Sequence, residues 1–357
     1  MLSGRTIRVL FAVFAVLTAC GNCLVCAGTL HLKDGKEWQD VSGSPDGRRL
    51  MAVAKFKQLI NSGDAESANE ELIKLKEAYP EISGPAFDAF LEAETLYADG
   101  KWDKAVRKYD EVLNKWSGHW LEPTILERKF SIGLAFLNGH KRKVLKILPL
   151  SAFDEGEKIM YDIENRAGDA PISRRALIAI ARGYERRGQF VDAYYVWENI
   201  NSRWTNGQLP TMAILEMAQD QHSSYKGPDY DHTGLNKAKD HYQDIRTHHH
   251  QLAAEYEIDE KLKIIEEQLA YKQYSIGEYY DRTGSRQAAQ LYYEEVLDKW
   301  PDTAAAEMAQ ARMLAWNSGL TEIRPGEKNK VGRRLFDVGN KIVDSWFGLR
   351  FLGVKAK

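Results

Sequence analysis

A glycine recurs between helix-forming stretches, and the residues at fixed distances around it constrain this chain more than any other feature. In the segment Tyr280 to Tyr293, an aromatic residue lies four positions before Gly284, Ala289 lies five after it and Tyr293 nine after it, with Pro301 beyond. Tyr184, Gly188, Phe190, Ala193 and Trp197 repeat the arrangement, as do Gly100, Trp102, Ala105 and Tyr109. Gly63, Ala68, Leu72 and Pro80 form a weaker copy. Each spacing has a physical cause. The glycine accepts the left-handed backbone that ends one helix and turns the chain. The alanine lets the second helix come close to the first, and the aromatic residues fill the space inside the hairpin and toward the next one. Proline stops the second helix because it cannot continue the hydrogen-bond ladder.

This is the tetratricopeptide pattern, and it predicts an all-α fold: a right-handed superhelix, or solenoid, of about six helical hairpins with a concave groove. The approximate spans are 49–80, 85–118, 122–152, 172–205, 210–250 and 260–301. The third is degenerate, with Gly139 present but Lys141-Arg142-Lys143 and Val144 in place of the usual turn and small residue. The fifth carries an insertion, Gly227 to Gly234, after which Leu235, Ala238 and Tyr242 resume a second helix. The predicted organisation is a targeting segment over 1–27, an extended linker over 28–48, early repeats over 49–205, late repeats over 206–318, and a linker with a basic amphipathic helix over 319–357.

The targeting segment begins with Arg5 and Arg8, continues as an apolar run from Val9 to Ala19, and reaches Leu17-Thr18-Ala19-Cys20-Gly21. That order fits a bacterial lipobox, in which Cys20 takes a diacylglycerol and acyl chains hold the mature chain on a membrane. Two other outcomes fit the same stretch: release by a signal peptidase at Val25-Cys26-Ala27, or retention of 9–27 as a short anchor. In each, the body of the chain lies outside the cytoplasm. All three cysteines, Cys20, Cys23 and Cys26, fall in this segment, so no disulfide framework is available to the body. A net charge of -2 gives no overall signature of nucleic-acid binding.

The late repeats are more specific. The segments Leu235 to Ile245 and Leu262 to Tyr280 precede Asp281-Arg282-Thr283-Gly284-Ser285-Arg286-Gln287-Ala288-Ala289 and Tyr293 to Thr303. With the inserted loop and the lipobox, this order resembles the BamD-like family of outer-membrane assembly lipoproteins, most closely over about 210–310. The resemblance implies a periplasm-facing, lipid-anchored scaffold of β-barrel assembly. Its early repeats would receive an extended peptide and its late repeats a barrel-assembly subunit. Members often carry an arginine just before the second aromatic of the last repeat, where this chain has Tyr292.

On the first helix of each early hairpin, one stripe is expected to face the groove. The candidates are Lys57, Asn61, Glu94, Tyr97, Lys129, Phe136, Arg182 and Arg186, a mixture suited to backbone hydrogen bonds and carboxylate capture. In the tail, Leu335, Val338, Ile342, Trp346 and Leu349 recur at helical spacing beside Arg333, Arg334 and Phe347. Such a helix can cap the last hairpin, dock on a partner or lie on a membrane. His241 and the run His248-His249-His250 do not share a face with metal-ligand spacing, and Asp229 and Asp231 are too few for a calcium loop. No phosphate-binding loop or nucleophile motif occurs. The sequence therefore points to a binding scaffold with neither catalysis nor cofactor. A scaffold for cell-wall or polysaccharide-export machinery is the second reading, since fold alone does not choose between them.

Overall fold

The computed structural model describes residues 30–33, 37–40, 44–144 and 148–317. Cys20 and the rest of the targeting segment lie outside the described residues, as does the tail with Arg333, Arg334, Trp346 and Phe347. The described chain is almost entirely helical, and no helix in it is long and apolar enough to cross a membrane. It divides into two compact units that part between Arg128 and Lys129.

The first unit opens with a two-stranded antiparallel hairpin, β1 (Leu30–Lys33) and β2 (Glu37–Asp40), inside the stretch expected to be plain linker. Two helical hairpins follow. The first is α1 (Pro45–Ser62) with α2 (Ala65–Ala78), and the second is α3 (Pro85–Ala98) with α4 (Trp102–Lys115). Pro45 and Pro85 start the leading helices, where proline loses no hydrogen bond and its fixed φ suits the helix. Ser44 and Asp64 cap α1 and α2 through their side-chain oxygens. The core stacks Phe56 edge-on against Phe90 at 6.0 Å and Phe90 against Tyr109 at 6.1 Å. Helix α5 (Glu122–Leu137) starts in this unit and continues into the second.

In the second unit come β3 (Lys141–Val144), β4 (Leu148–Ser151), α6 (Phe153–Ala167), α7 (Pro171–Arg186) and α8 (Phe190–Arg203). They are followed by α9 (Gln208–Ser223), α10 (Thr233–His248), the short α11 (His250–Glu255), α12 (Ile258–Arg282), α13 (Arg286–Lys299) and α14 (Ala304–Asn317). The pairs α7/α8, α9/α10 and α12/α13 are the hairpins expected from the sequence, and α14 packs on the last of them. In each, the small residue and ring of the second helix are buried: Ala193 with Trp197, Ala238 with Tyr242, and Ala289 with Tyr293.

Five turns share one geometry. Gly63, Gly100, Gly139, Gly188 and Gly284 have φ between 69° and 92°. At Gly188, its N–H donates to Glu185 O at 2.9 Å and the next N–H, of Gln189, donates to Tyr184 O at 3.0 Å. The paired bonds satisfy carbonyls that the helix end would leave bare, and only the glycine's freedom to enter positive φ lets both form.

The third hairpin departs from expectation. The turn at Gly139 forms, but no helix follows it. Residues 141–144 and 148–151 make the antiparallel pair β3/β4 instead, with Lys141 opposite Ser151 and Val144 opposite Leu148. In the sequence, Val144 stands where the other repeats have alanine, and Pro149, five residues on, cannot donate within a helix. The second helix is displaced to α6. There, glycine does the work of alanine. A methyl group on Gly156 would lie 2.9 Å from Gly133 O and 3.0 Å from Leu137 N, so α5 and α6 meet backbone to backbone. Gly156→Ala is therefore expected to lower stability by about 1–3 kcal/mol despite alanine's better helix propensity. Thermal unfolding tests this, and a variant at least as stable as the parent would refute the close contact.

Candidate functional site

The stripe expected to face a groove contains the most organised polar chemistry in the chain, and much of that chemistry is internal. In the first unit, Arg128 and Glu94 are both buried. Arg128 Nε donates to Glu94 Oε2 at 3.0 Å and Nη2 donates to the same oxygen at 2.8 Å. The Tyr109 hydroxyl donates to Glu94 Oε1, and burial followed by the Glu94 charge pushes its pKa up, so it keeps the proton it donates. The Arg128 guanidinium also lies 4.5 Å from the centre of the Tyr97 ring, whose other neighbour is Trp102, stacked at 6.0 Å.

The second unit repeats the device. Arg182 Nη1 donates to Glu185 Oε2 at 2.8 Å and to Glu216 Oε2 at 2.9 Å, while Nη2 donates to Glu216 Oε1 at 2.5 Å. Trp197 Nε1 donates to Glu185 Oε1 at 2.8 Å, and the Arg182 guanidinium lies 5.1 Å from the Trp197 ring centre. In both units the ring nine residues after the glycine brings a polar hydrogen into the core, where it requires an acceptor. A glutamate on the preceding helix supplies it. An arginine is then needed to compensate that buried charge. The inter-helix pairs Glu94–Arg128 and Arg182–Glu216 are each 34 residues apart. That is one tetratricopeptide period, so each pair ties one leading helix to the next at the same height.

The expected groove residues divide accordingly. Glu94 and Arg182 are held in these networks. Lys129 is buried and pairs with Asp162, which Arg166 also approaches at 3.0 Å. Burial opposes charge on Asp162, but the two cations outweigh it and hold its carboxyl below the ordinary range. Phe136 is buried at the α5–α6 contact. Lys57 is half-buried, with its ammonium 5.9 Å from the Trp120 ring centre. Asn61 lies in α1, and its side chain is outside the described residues. Arg186 is exposed, one turn beyond Arg182, and makes no hydrogen bond or ion pair among the described residues. The structure thus joins Glu94 and Tyr97 through Arg128, and sets Arg186 beside Arg182 on α7. Sequence reasoning missed Arg128, Glu185, Glu216 and Asp220. The available signal was opposite charge at the repeat spacing.

Asp220 adds a second acidic group one turn after Glu216. It is buried, its Oδ2 has no hydrogen-bond partner among the described residues, and its pKa is pushed up to about 9. Burial is the largest cause, the Glu185 and Glu216 charges add to it, and Arg182 opposes them. One arginine among three carboxyl groups leaves Asp220 protonated at neutral pH.

In the late repeats the inserted loop is fixed from α12. Lys272 Nζ donates to Pro228 O at 2.9 Å and to Tyr230 O at 2.6 Å, presenting the Tyr230 side chain to solvent. Gly234 permits the return into α10, because a methyl group there would lie 2.6 Å from Ser224 Oγ. His222, half-buried, shares a 2.9 Å hydrogen bond with Gln268, and burial lowers its pKa to about 4, so it stays neutral. His241 packs on the Tyr194 ring and His248 pairs with Asp244. Among the described residues no three His, Cys, Asp or Glu side chains gather as metal ligands.

Two outcomes are expected. Arg128→Met leaves Glu94 buried without its counter-charge and costs about 3–5 kcal/mol in urea unfolding, whereas adding Glu94→Leu recovers most of the loss. Equal losses in the single and double variants would refute the coupling. The second outcome concerns pH. Native Asp220 keeps a proton that the unfolded chain releases near pH 4, so stability falls as pH rises from about 4 toward about 9. Asp220→Asn flattens that slope in denaturation series at pH 5 and 8.5. An unchanged slope would show that Asp220 is ionised in the native chain.

Residues 209–331 match a family model, YfiO, whose description is outer membrane lipoprotein. The match begins in α9 and takes in the inserted loop and α10 to α14. No curated protein matches the chain.

Proposed function

We propose, from the premise that the segment 209–331 belongs to the BamD-like family of outer membrane lipoproteins, that this chain is a non-catalytic envelope scaffold assisting the assembly of outer-membrane β-barrel proteins. The observation that carries the proposal is that family match, which spans the anchored loop and both late hairpins. Lipidation at Cys20 would hold the scaffold at the outer membrane with its body facing the periplasm. The late hairpins would dock a barrel-assembly subunit.

In the early repeats the reading assigns peptide capture to the groups that the internal network leaves available. Arg186 is the strongest of these, because its guanidinium is uncommitted and stands beside a pair already neutralised by two glutamates. A carboxylate on an extended segment of an unfolded barrel protein matches the fork of an arginine. Lys57 offers a cation at the first hairpin, and Tyr97, although it packs on Arg128 and Trp102, is only half-buried.

Affinity capture from detergent-solubilised membranes tests the assignment. The intact bait is expected to recover barrel-assembly subunits. Recovery of wall synthases, hydrolases or polysaccharide-export components in their place would support the second reading of the sequence and overturn this one.

A further inference from the structure

A cleft of about 820 Å³ opens where the start of α9 meets the ends of α10 and α11. Leu209, Met212, Leu215, Leu252 and Tyr256 give it an apolar floor, and the consecutive residues His248, His249 and His250 form one wall. The six-residue helix α11 lies in the chain between α10 and α12, at the join of the last two hairpins. The corner after α11 is tightly held. Glu257 has φ 51°, the one non-glycine residue with positive φ among the described residues. Lys261, almost fully buried, donates to Tyr256 O at 2.6 Å and lies 5.6 Å from the Tyr256 ring centre and 5.7 Å from that of Tyr242. The cleft is therefore built in, with its back wall pinned by a buried cation.

The charged residues of its lining are acidic, with the buried Lys261 behind them. Its lining contains Glu216 and Glu255 and neither lysine nor arginine. Arg182 neutralises Glu216, but Glu255 and the adjacent Glu257 are exposed and make no ion pair among the described residues. An apolar floor beneath uncompensated carboxylates fits an apolar anchor flanked by cations. Met212, exposed at 38%, gives that floor an adaptable surface.

The chain itself carries such a segment. Arg333-Arg334-Leu335-Phe336 leads to Trp346-Phe347-Gly348-Leu349-Arg350-Phe351. Residues 318–332 separate it from the end of α14 and can span about 50 Å when extended. That exceeds the length of α12, which at 25 residues runs about 38 Å. We propose that residues 333–351 occupy this cleft in the same molecule, with Trp346 and Phe347 on the apolar floor and the arginines toward Glu255 and Glu257. The tail is then an internal occupant that any external basic, aromatic segment has to displace, at the high effective concentration a tether provides.

The body has no cysteine after Cys26, which makes the test direct. In the full chain with Cys20, Cys23 and Cys26 changed to serine, Gln251→Cys on the exposed cleft rim is paired with Phe347→Cys and mildly oxidised. The control pairs Phe347→Cys with Leu291→Cys, an exposed position on α13. An intramolecular disulfide is expected to form about tenfold faster in the cleft pair than in the control. Glu255→Lys with Glu257→Lys, and separately Met212→Glu, are expected to slow it severalfold. Met212, Gln251, Glu255, Glu257 and Leu291 are all exposed, so their substitutions keep the fold, as circular dichroism verifies. Equal rates in the two pairs, or disulfides only between molecules, would overturn the proposal.

Discussion

The close approach of two antiparallel helix backbones is the constraint on which everything else in this chain depends. Where Ala68, Ala105, Ala193 or Ala289 sits at the contact, the second helix packs directly after its turn. Where the sequence has Val144 in that position, the turn still forms but a strand follows it, and Gly133 with Gly156 makes the close contact one element later. The turn is a local event, settled by one residue's freedom at positive φ. The helix that follows is a tertiary event, because a short isolated helix is marginal in water until its apolar face is covered.

That close packing also creates the buried charges. A ring pressed between helices contributes more area when it is tyrosine or tryptophan, but its polar hydrogen then needs an acceptor where water is excluded. Glu94 and Glu185 meet that need, and an arginine stands against each. The inter-helix ion pairs are therefore a consequence of the repeat, spaced by its period, and they tie successive leading helices together. Asp220 is the place where compensation runs out, and it keeps its proton.

Function is distributed over what the packing leaves uncommitted. In the function proposed above, the leading helices would offer Arg186 and Lys57. The late hairpins offer an inserted loop held by Lys272 and a cleft closed at the back by Lys261. Both lysines spend their hydrogen bonds on backbone carbonyls, which fixes the shape of a surface more firmly than a surface ion pair would. A docking scaffold needs that rigidity, since each ordered contact surface lowers the entropy lost on binding.

The sequence by itself determined the helical class, the five glycine turns, the burial of the small residues and rings around them, and the likeness of the late repeats to a lipoprotein family. Those features are local: a positive φ, a missing Cβ or a proline acts within a few residues of its own position. The tertiary structure decided the rest. It placed α6 where no alanine motif pointed, made strands of 141–144 and 148–151, and buried Glu94, Lys129 and Phe136 that the repeat alignment put on a groove-facing stripe. Which side of a helix meets water depends on its neighbour one period away, and a carboxylate's role depends on whether an arginine lies across from it. Neither is written in the local chain, because both follow from contacts between residues about 34 positions apart.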